Sequence, residues 1–262
     1  MFTQSLLSDF DPDSNHCPAV ALGVQVTDNL REIPVHRHRK GQLILTLRGS
    51  VTCSVPDALW MVPPQRAVWI PGGLSHSNRV TANTVVCFLF VEPGAALLPD
   101  RCCTLSMSPL LRELILRLSR LPPVYQAGSF TGRLVTLLLE ELVQMPHEHL
   151  NLPIPRHPTL RRMADILLAD PANRGTLAQW AQQSAMSERS LARLIVRETG
   201  LTFGRWRQQL HLIIALGHLS DRMPVQQVAE KLGYDSVTAF ITMFKKSLGT
   251  SPGHYFSGEQ RG

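Results

Sequence analysis

The stretch VAEKLGYDSVTAFITMFKKSLGTSPGHY, Val228 to Tyr255, carries two apolar-periodic helical runs parted by one glycine. Gly233 enters a left-handed turn at little steric cost, and Ser236 is a good N-cap for the run that follows. Phe240, Ile241 and Phe244 recur at helical spacing and give that second run its inward face. Ala229, one turn into the first run, is small enough for the two helices to cross closely. A short helix, a tight turn and a second helix with a polar outer face form a helix-turn-helix.

About 49 residues upstream the plan repeats in TLAQWAQQSAMSERSLARLI, Thr176 to Ile195. Ala181 stands where Ala229 does, Ala185 where Gly233 does, and Ser187 where Ser236 does. Ser187 with Ser190 three residues later is half a capping box. Leu191, Leu194 and Ile195 supply the inward face. Between the two units lies FGRWRQQLHLIIALGHLS, Phe203 to Ser220. As a helix it spans roughly 27 Å at 1.5 Å per residue. With its flanking turns that suits two reading helices set one DNA turn, roughly 34 Å, apart. The major groove admits one α-helix, so each unit offers DNA one polar helix face.

These residues resemble the DNA-binding domain of the AraC/XylS family of bacterial transcription regulators. Val228–Tyr255 follows the family pattern A-x-x-x-G-[YF]-x-S-x-x-x-F-x-x-x-F-[KR]-x-x-x-G-x-[ST]-P-x-x-Y almost throughout, and MSERSLARL with ETGLTFGRW agrees in the first unit. Two positions depart: His211 replaces the usual arginine of the connecting helix, and Ala185 replaces a frequent glycine. The resemblance implies double-stranded DNA and RNA polymerase as partners, and control of a neighbouring transporter or catabolic gene in response to a small-molecule effector. It places the first reading helix at about Ser187–Thr199, with Arg189, Ser190, Arg193 and Arg197 toward DNA. Val237, Thr238, Thr242 and Lys245 occupy the equivalent face of the second. An arginine binds guanine O6 and N7 bidentately, whereas threonine and valine offer thymine methyl or phosphate contacts.

Upstream, residues 19–91 read as β. Runs such as QLILTL, VTCSV, RAVWI and TVVCFLFV alternate with turn-formers, and six to eight short strands suggest a small barrel or jelly roll. Residues 106–146 change period: SPLLRELILRLSRL and RLVTLLLEELVQM have leucines at helical spacing, separated by Leu121-Pro122-Pro123. These two helices either complete the β core or present a leucine face to a second copy, as a homodimer. HEHLNLPIPRHP, residues 147–158, reads as a semi-stiff linker whose histidines are solvated, and 159–262 as all-helical. The expected architecture is multidomain: a cupin-like β-barrel sensor over 1–105, two following helices, the linker, and a C-terminal all-α double helix-turn-helix domain.

The β region resembles the cupin-type sensor domain of the same family in HRHRKGQLILTLRG and WIPGGLSHSN. Cupin enzymes place H-x-H, an acid, and a third histidine after P-x-G around one metal. His36, His38 and His76 fall in those slots, and the acid slot holds Gln42. Three neutral imidazoles and an amide either line an effector pocket or hold a divalent metal. They lack the carboxylate of a non-haem iron triad, so no catalysis and no obligatory cofactor are expected. Trp60 and Trp69, with Met61 and Phe88, read as core or as the lining of an aromatic-effector cavity.

Composition fits this reading. The 262 residues are 44% hydrophobic and 18% charged, as in a globular protein. No apolar run is long enough to span a bilayer, and the N-terminus lacks a signal-peptide pattern, which points to the cytoplasm. Residues 1–156 carry net +1 and residues 157–262 net +5, which suits a polyanion partner of the C-terminal part. Cys17, Cys53, Cys87, Cys102 and Cys103 are odd in number and without CxxC spacing, so neither a disulfide framework nor a structural zinc site is expected. The adjacent pair Cys102-Cys103 reads as small core residues or a thiol sensor. The competing class is a cupin metalloenzyme, a dioxygenase or isomerase, with an accessory helical domain; Gln42 and the C-terminal motif oppose it.

Overall fold

The computed structural model describes residues 10–26, 31–62, 66–81, 84–148 and 151–257. The chain divides into two compact units, residues 1–55 with 60–150, and residues 56–59 with 151–262.

The first unit holds β1 (Ala19–Gln25), β2 (Arg31–His36), β3 (Gly41–Arg48), β4 (Val51–Val55), β5 (Ala58–Val62), β6 (Arg66–Ile70), β7 (His76–Val80), β8 (Val85–Val91), β9 (Cys103–Ser106) and β10 (His147–Glu148). They form two sheets, not one continuously hydrogen-bonded barrel: β1-β8-β3-β6-β9-β10, and β5-β4-β7-β2. Strand alternation gives the first sheet two buried faces. Leu43, Leu45, Cys87, Leu89 and Trp69 point toward α1 (Pro109–Leu118) and α2 (Phe130–Val143), packing with Leu111, Ile115, Leu138 and Leu142. Gln42, Ile44, Phe88 and Phe90, of opposite parity, face the second sheet; Gln42 on β3 reaches His76 on β7 at 3.1 Å. The two helices therefore complete a core, while Leu110, Phe130, Leu137 and Val143 stay exposed on them.

Trp69 and Phe88 consequently lie on opposite sides of the first sheet and line no common cavity. The indole of Trp69 donates to Pro99 O at 2.8 Å, and it lies so close over Gly41 that a Cβ there would meet the ring at 2.1 Å. Cys103 opens β9 in the helix-side core, and burial pushes the thiols of Cys102 and Cys103 up to about 12 and about 11. Burial thus opposes thiolate formation at both.

The second unit holds β11 (Asn151–Pro153), α3 (Pro158–Ala169), α4 (Leu177–Gln183), α5 (Glu188–Thr199), α6 (Phe203–Ser220), α7 (Val225–Lys231), α8 (Val237–Leu248) and α9 (Pro252–Ser257). The expected semi-stiff linker is thus partly strand and partly packed. Leu152 is fully buried, Trp206 Nε1 donates to Pro153 O at 2.8 Å, and Ile154 N donates to Asp57 O at 2.9 Å. Arg156 forms an exposed bidentate pair with Asp57. Of the linker histidines, His147 is exposed, His157 caps α3 by accepting from Thr159 N at 3.3 Å, and His149 lies outside the described residues.

Candidate DNA-reading surface and histidine cluster

The two helix-turn-helix units share one turn geometry. Met186 N donates to Ala181 O, and Tyr234 N donates to Ala229 O, each at 2.9 Å. Both bonds close over a left-handed residue, Ala185 at φ 53° and Gly233 at φ 72°. A Cβ at Gly233 would also lie 2.9 Å from Ala172 O, so glycine is required there twice over. Thr176 and Gln179 form a full capping box on α4. Ser187 caps α5 through Ser190 N at 3.1 Å, and Ser236 caps α8 through Ala239 N at 3.1 Å.

On α5, Leu191, Leu194 and Ile195 are buried, while Arg189, Ser190, Arg193 and Arg197 are all exposed. Arg189 and Arg193 have no hydrogen-bond or ion-pair partner among the described residues, so both guanidinium forks are available. Ser190 Oγ instead accepts from Ser187 Oγ at 2.9 Å, and Arg197 approaches Glu198 at 3.9 Å. On α8, Phe240, Met243 and Phe244 are buried; Thr238, Thr242 and Lys245 are exposed and Val237 half-buried. Thr242 Oγ1 donates to Thr238 O at 2.8 Å, which leaves its methyl as the outward contact. The structure gathers the eight residues onto two helix faces and gives them unequal means: arginine forks on α5, methyl groups and one lysine on α8.

His211 was legible only as a departure. It is largely buried on α6, with Nε2 3.0 Å from Pro171 O and Nδ1 3.2 Å from Tyr234 Oη. Burial holds its pKa down at about 4. Tyr234 then meets Phe240, and Phe240 meets Phe244, with ring centroids 5.6 and 6.0 Å apart, an aromatic chain from the connecting helix into the second reader.

Residues 180–258 match the family described as a helix-turn-helix domain. The chain is 56% identical over 252 residues to the HTH-type transcriptional regulator NimR of Escherichia coli (strain K12), covering 96% of this chain and 92% of that one. The chain belongs to the AraC/XylS family of transcription regulators. It is also 29% identical over 137 residues to the arabinose operon regulatory protein of the same organism, across 50% of this chain and 46% of that one. Among solved structures, ToxT from Vibrio cholerae O395 aligns over 91% of this chain and 96% of its own at 9% identity, with a TM-score of 0.38. The family makes DNA a partner of this chain.

In the β unit of this regulator, His36 ends β2, His38 follows it, and His76 opens β7 paired with His36. Their ring centroids lie 4.4 to 5.8 Å apart. Gln42, 2% exposed, sits between His38 and His76. Burial, and then the neighbouring imidazoles, hold the His76 pKa down at about 4, so the ring is neutral at pH 7. Asn78, Trp60 and Thr46 belong to the same inner walls by strand parity. Asn78 Nδ2 and Oδ1, Trp60 Nε1 and Thr46 Oγ1 are buried there without a hydrogen-bond partner among the described residues. A separate groove of about 890 Å³ opens on the helix side, lined by Cys17, Ala95, Tyr125, Val135, Thr136 and Leu139. Its lining is mainly apolar, with Asn15, His16, Glu140 and Gln144 among it, and it was not foreseen from sequence.

Proposed function

We propose that this regulator reads a two-part DNA site with α5 and α8 and answers to a small polar-edged organic effector held between its two sheets. The single observation that supports the DNA reading best is the pair of unpartnered arginines, Arg189 and Arg193, one turn apart on the exposed face of a capped helix. Arginine forks on α5 favour base readout there, while α8 contributes mainly affinity. Arg197, Ser190 and Lys245 flank these contacts as phosphate ligands.

The effector reading rests on the unpaired buried polar atoms of Asn78, Trp60 and Thr46. Buried donors and acceptors are nearly always satisfied, so an interior with four such atoms is built for something that hydrogen-bonds to it. The helix-side groove of about 890 Å³ is lined mainly by apolar side chains. His36, His38, Gln42 and His76 form the polar end of the interior site. Acting on RNA polymerase at a promoter beside a transporter or catabolic gene, as a homodimer through the exposed apolar residues of α1 and α2, completes the proposal. No catalytic step is assigned, because Gln42 supplies no carboxylate where a cupin enzyme has one.

Binding-site selection on the purified chain, repeated with a small-molecule panel, tests this reading. The account expects an enriched DNA motif and a compound that shifts both melting temperature and DNA affinity. Loss of that shift in Asn78→Leu, with retention in Thr136→Trp, places the compound between the sheets; the reverse pattern places it in the helix-side groove. Absence of any enriched motif refutes sequence-specific reading.

A further inference from the structure

We propose that Asp57 is a positioning residue for DNA reading: through Arg156 it fixes the segment that Glu198 ties to α5. The inference rests on the proposed reading of DNA by α5 and adds residues outside both reading faces. Asp57 lies at the tip of the β4–β5 hairpin, and residues 56–59 belong to the second unit, with the reading helices. Two groups of Asp57 hold the segment before α3. Its backbone oxygen accepts from Ile154 N at 2.9 Å, and its carboxylate takes the Arg156 guanidinium through both Nε and Nη2. The guanidinium in turn holds the Asp57 carboxyl below its usual range.

The same segment is gripped from α5. Glu198, in the last turn of that helix, accepts from Arg156 N and His157 N, each at 3.1 Å. Both amides stand at the N-terminal end of α3, where the helix dipole favours a carboxylate. The Glu198 side chain is 20% exposed, and amide bonds to a carboxylate are of the strong, charge-assisted kind. Residues 156 and 157 are therefore bonded at once to the hairpin tip and to a reading helix. His157 also lines, with Ser190, Arg193 and Arg197, a cleft of about 590 Å³. The held segment is thus a wall beside the reading arginines. A fixed wall leaves an arginine fewer rotamers to lose when it meets DNA, which is preorganisation.

The strength of the pair separates positioning from folding. Arg156 and Asp57 are 76% and 54% exposed, and ion pairs so exposed add little to stability. Buried Leu152, the Trp206 bond to Pro153 O and the Ile154 bond to Asp57 O anchor the segment without the carboxylate. Removing that carboxylate therefore leaves the fold standing and takes away one of two grips on Arg156. The strands behind the tip run on into the first unit at Val55 and Trp60, so the chain itself carries a shift of the hairpin to this grip.

The test uses the full chain, a duplex obtained by binding-site selection and a scrambled duplex of equal length. The quantity read is the ratio of the two affinities, because a change of one charge moves both together. Asp57→Asn and Arg156→Gln should each lower the ratio by roughly two- to fivefold, the scale of an exposed ion pair, at unchanged melting temperature. The double variant Asp57→Arg/Arg156→Asp should recover it. Glu198→Ala should lower the ratio further, whereas Glu198→Gln, which keeps an oxygen for the two amides, should retain most of it. An unchanged ratio in Asp57→Asn and Arg156→Gln, with Arg193→Ala still lowering it, overturns the positioning role and leaves the DNA reading intact. An unchanged ratio in Arg193→Ala as well refutes both. A fall confined to Arg156→Gln marks a direct DNA contact by that arginine and overturns the proposal. A fall that comes only with a lower melting temperature marks a merely structural pair and overturns it equally.

Discussion

The hydroxyl of Tyr234 lies 3.2 Å from Nδ1 of His211, and the two rings meet edge to face with centroids 5.5 Å apart. Because His211 Nε2 faces a carbonyl oxygen at 3.0 Å, it must carry the proton, and Nδ1 accepts from the tyrosine. The imidazole thus ties the loop after α3 to the turn of the second reading unit. His211→Ala removes both bonds and should destabilise the second unit by about 1–3 kcal/mol, the cost of leaving partners unsatisfied. Denaturant melts measure that. A footprint should show protection by α8 weakening before protection by α5.

Titration of the buried imidazoles gives a pH signature. His76 and His211 both have folded pKa values lowered from 6.5 to about 4. Above pH 6.5 neither the folded nor the unfolded ring binds a proton, so their neutral burial costs nothing that depends on pH. Between pH 6.5 and 4 the unfolded chain binds protons that the folded one refuses, and stability falls. Melting temperature should be flat from neutral to mildly alkaline pH and should decline through that window. The decline should shrink in His211→Gln, which does not titrate; an unchanged slope in that variant would count against a neutral buried His211.

Ala185 occupies a left-handed conformation, φ 53°, at the turn of the first reading unit. A side chain there is strained by roughly 1–2 kcal/mol, while glycine gives part of that back through its unfolded-state freedom. Ala185→Gly should therefore stabilise the chain by roughly 0.5–1 kcal/mol in equilibrium unfolding. Gly233→Ala should do the opposite and by more, since its Cβ also meets Ala172 O.

Charge on the two readers should separate by kind. Lys245→Ala, which removes the proposed phosphate contact, should weaken all DNA sequences about equally and lower the salt slope by about 1. Arg189→Ala should relax one base position instead. Competition binding over a salt series distinguishes the two outcomes.

Much of this was legible in the sequence, for identifiable reasons. Gly233, Ser236 and the Phe240–Phe244 spacing give local signals that need no tertiary context, and α5 and α8 lie where such signals put them. Strands β1 to β8 fall within the β region because valine-rich runs alternate with turn-formers. Strands of two to four residues, β9 to β11, have too few positions to show alternation, so the 147–158 segment read as linker. Trp69 and Phe88 were grouped by residue type, whereas a period of two sends them to opposite faces. His211 stood out only as a missing arginine: its partners lie 23 and 40 residues away in sequence, a contact that periodicity does not encode. His36 and His38 were legible as an H-x-H pair, and His76 and Gln42 through the cupin resemblance, whereas the carbonyl behind each Nδ1 is set by the folded loops.

The account stands most directly on how α5 and α8 divide the DNA site. Footprinting wild-type protein and Arg193→Ala on a selected site measures that. The predicted result is two protected patches about one helical turn, roughly 34 Å, apart on one face of the duplex. In Arg193→Ala binding should weaken by about 1–3 kcal/mol, with sequence preference lost at one base pair in the α5 half only. A single uninterrupted patch, or unchanged preference in the variant, would contradict the claim that these two helices read DNA in tandem.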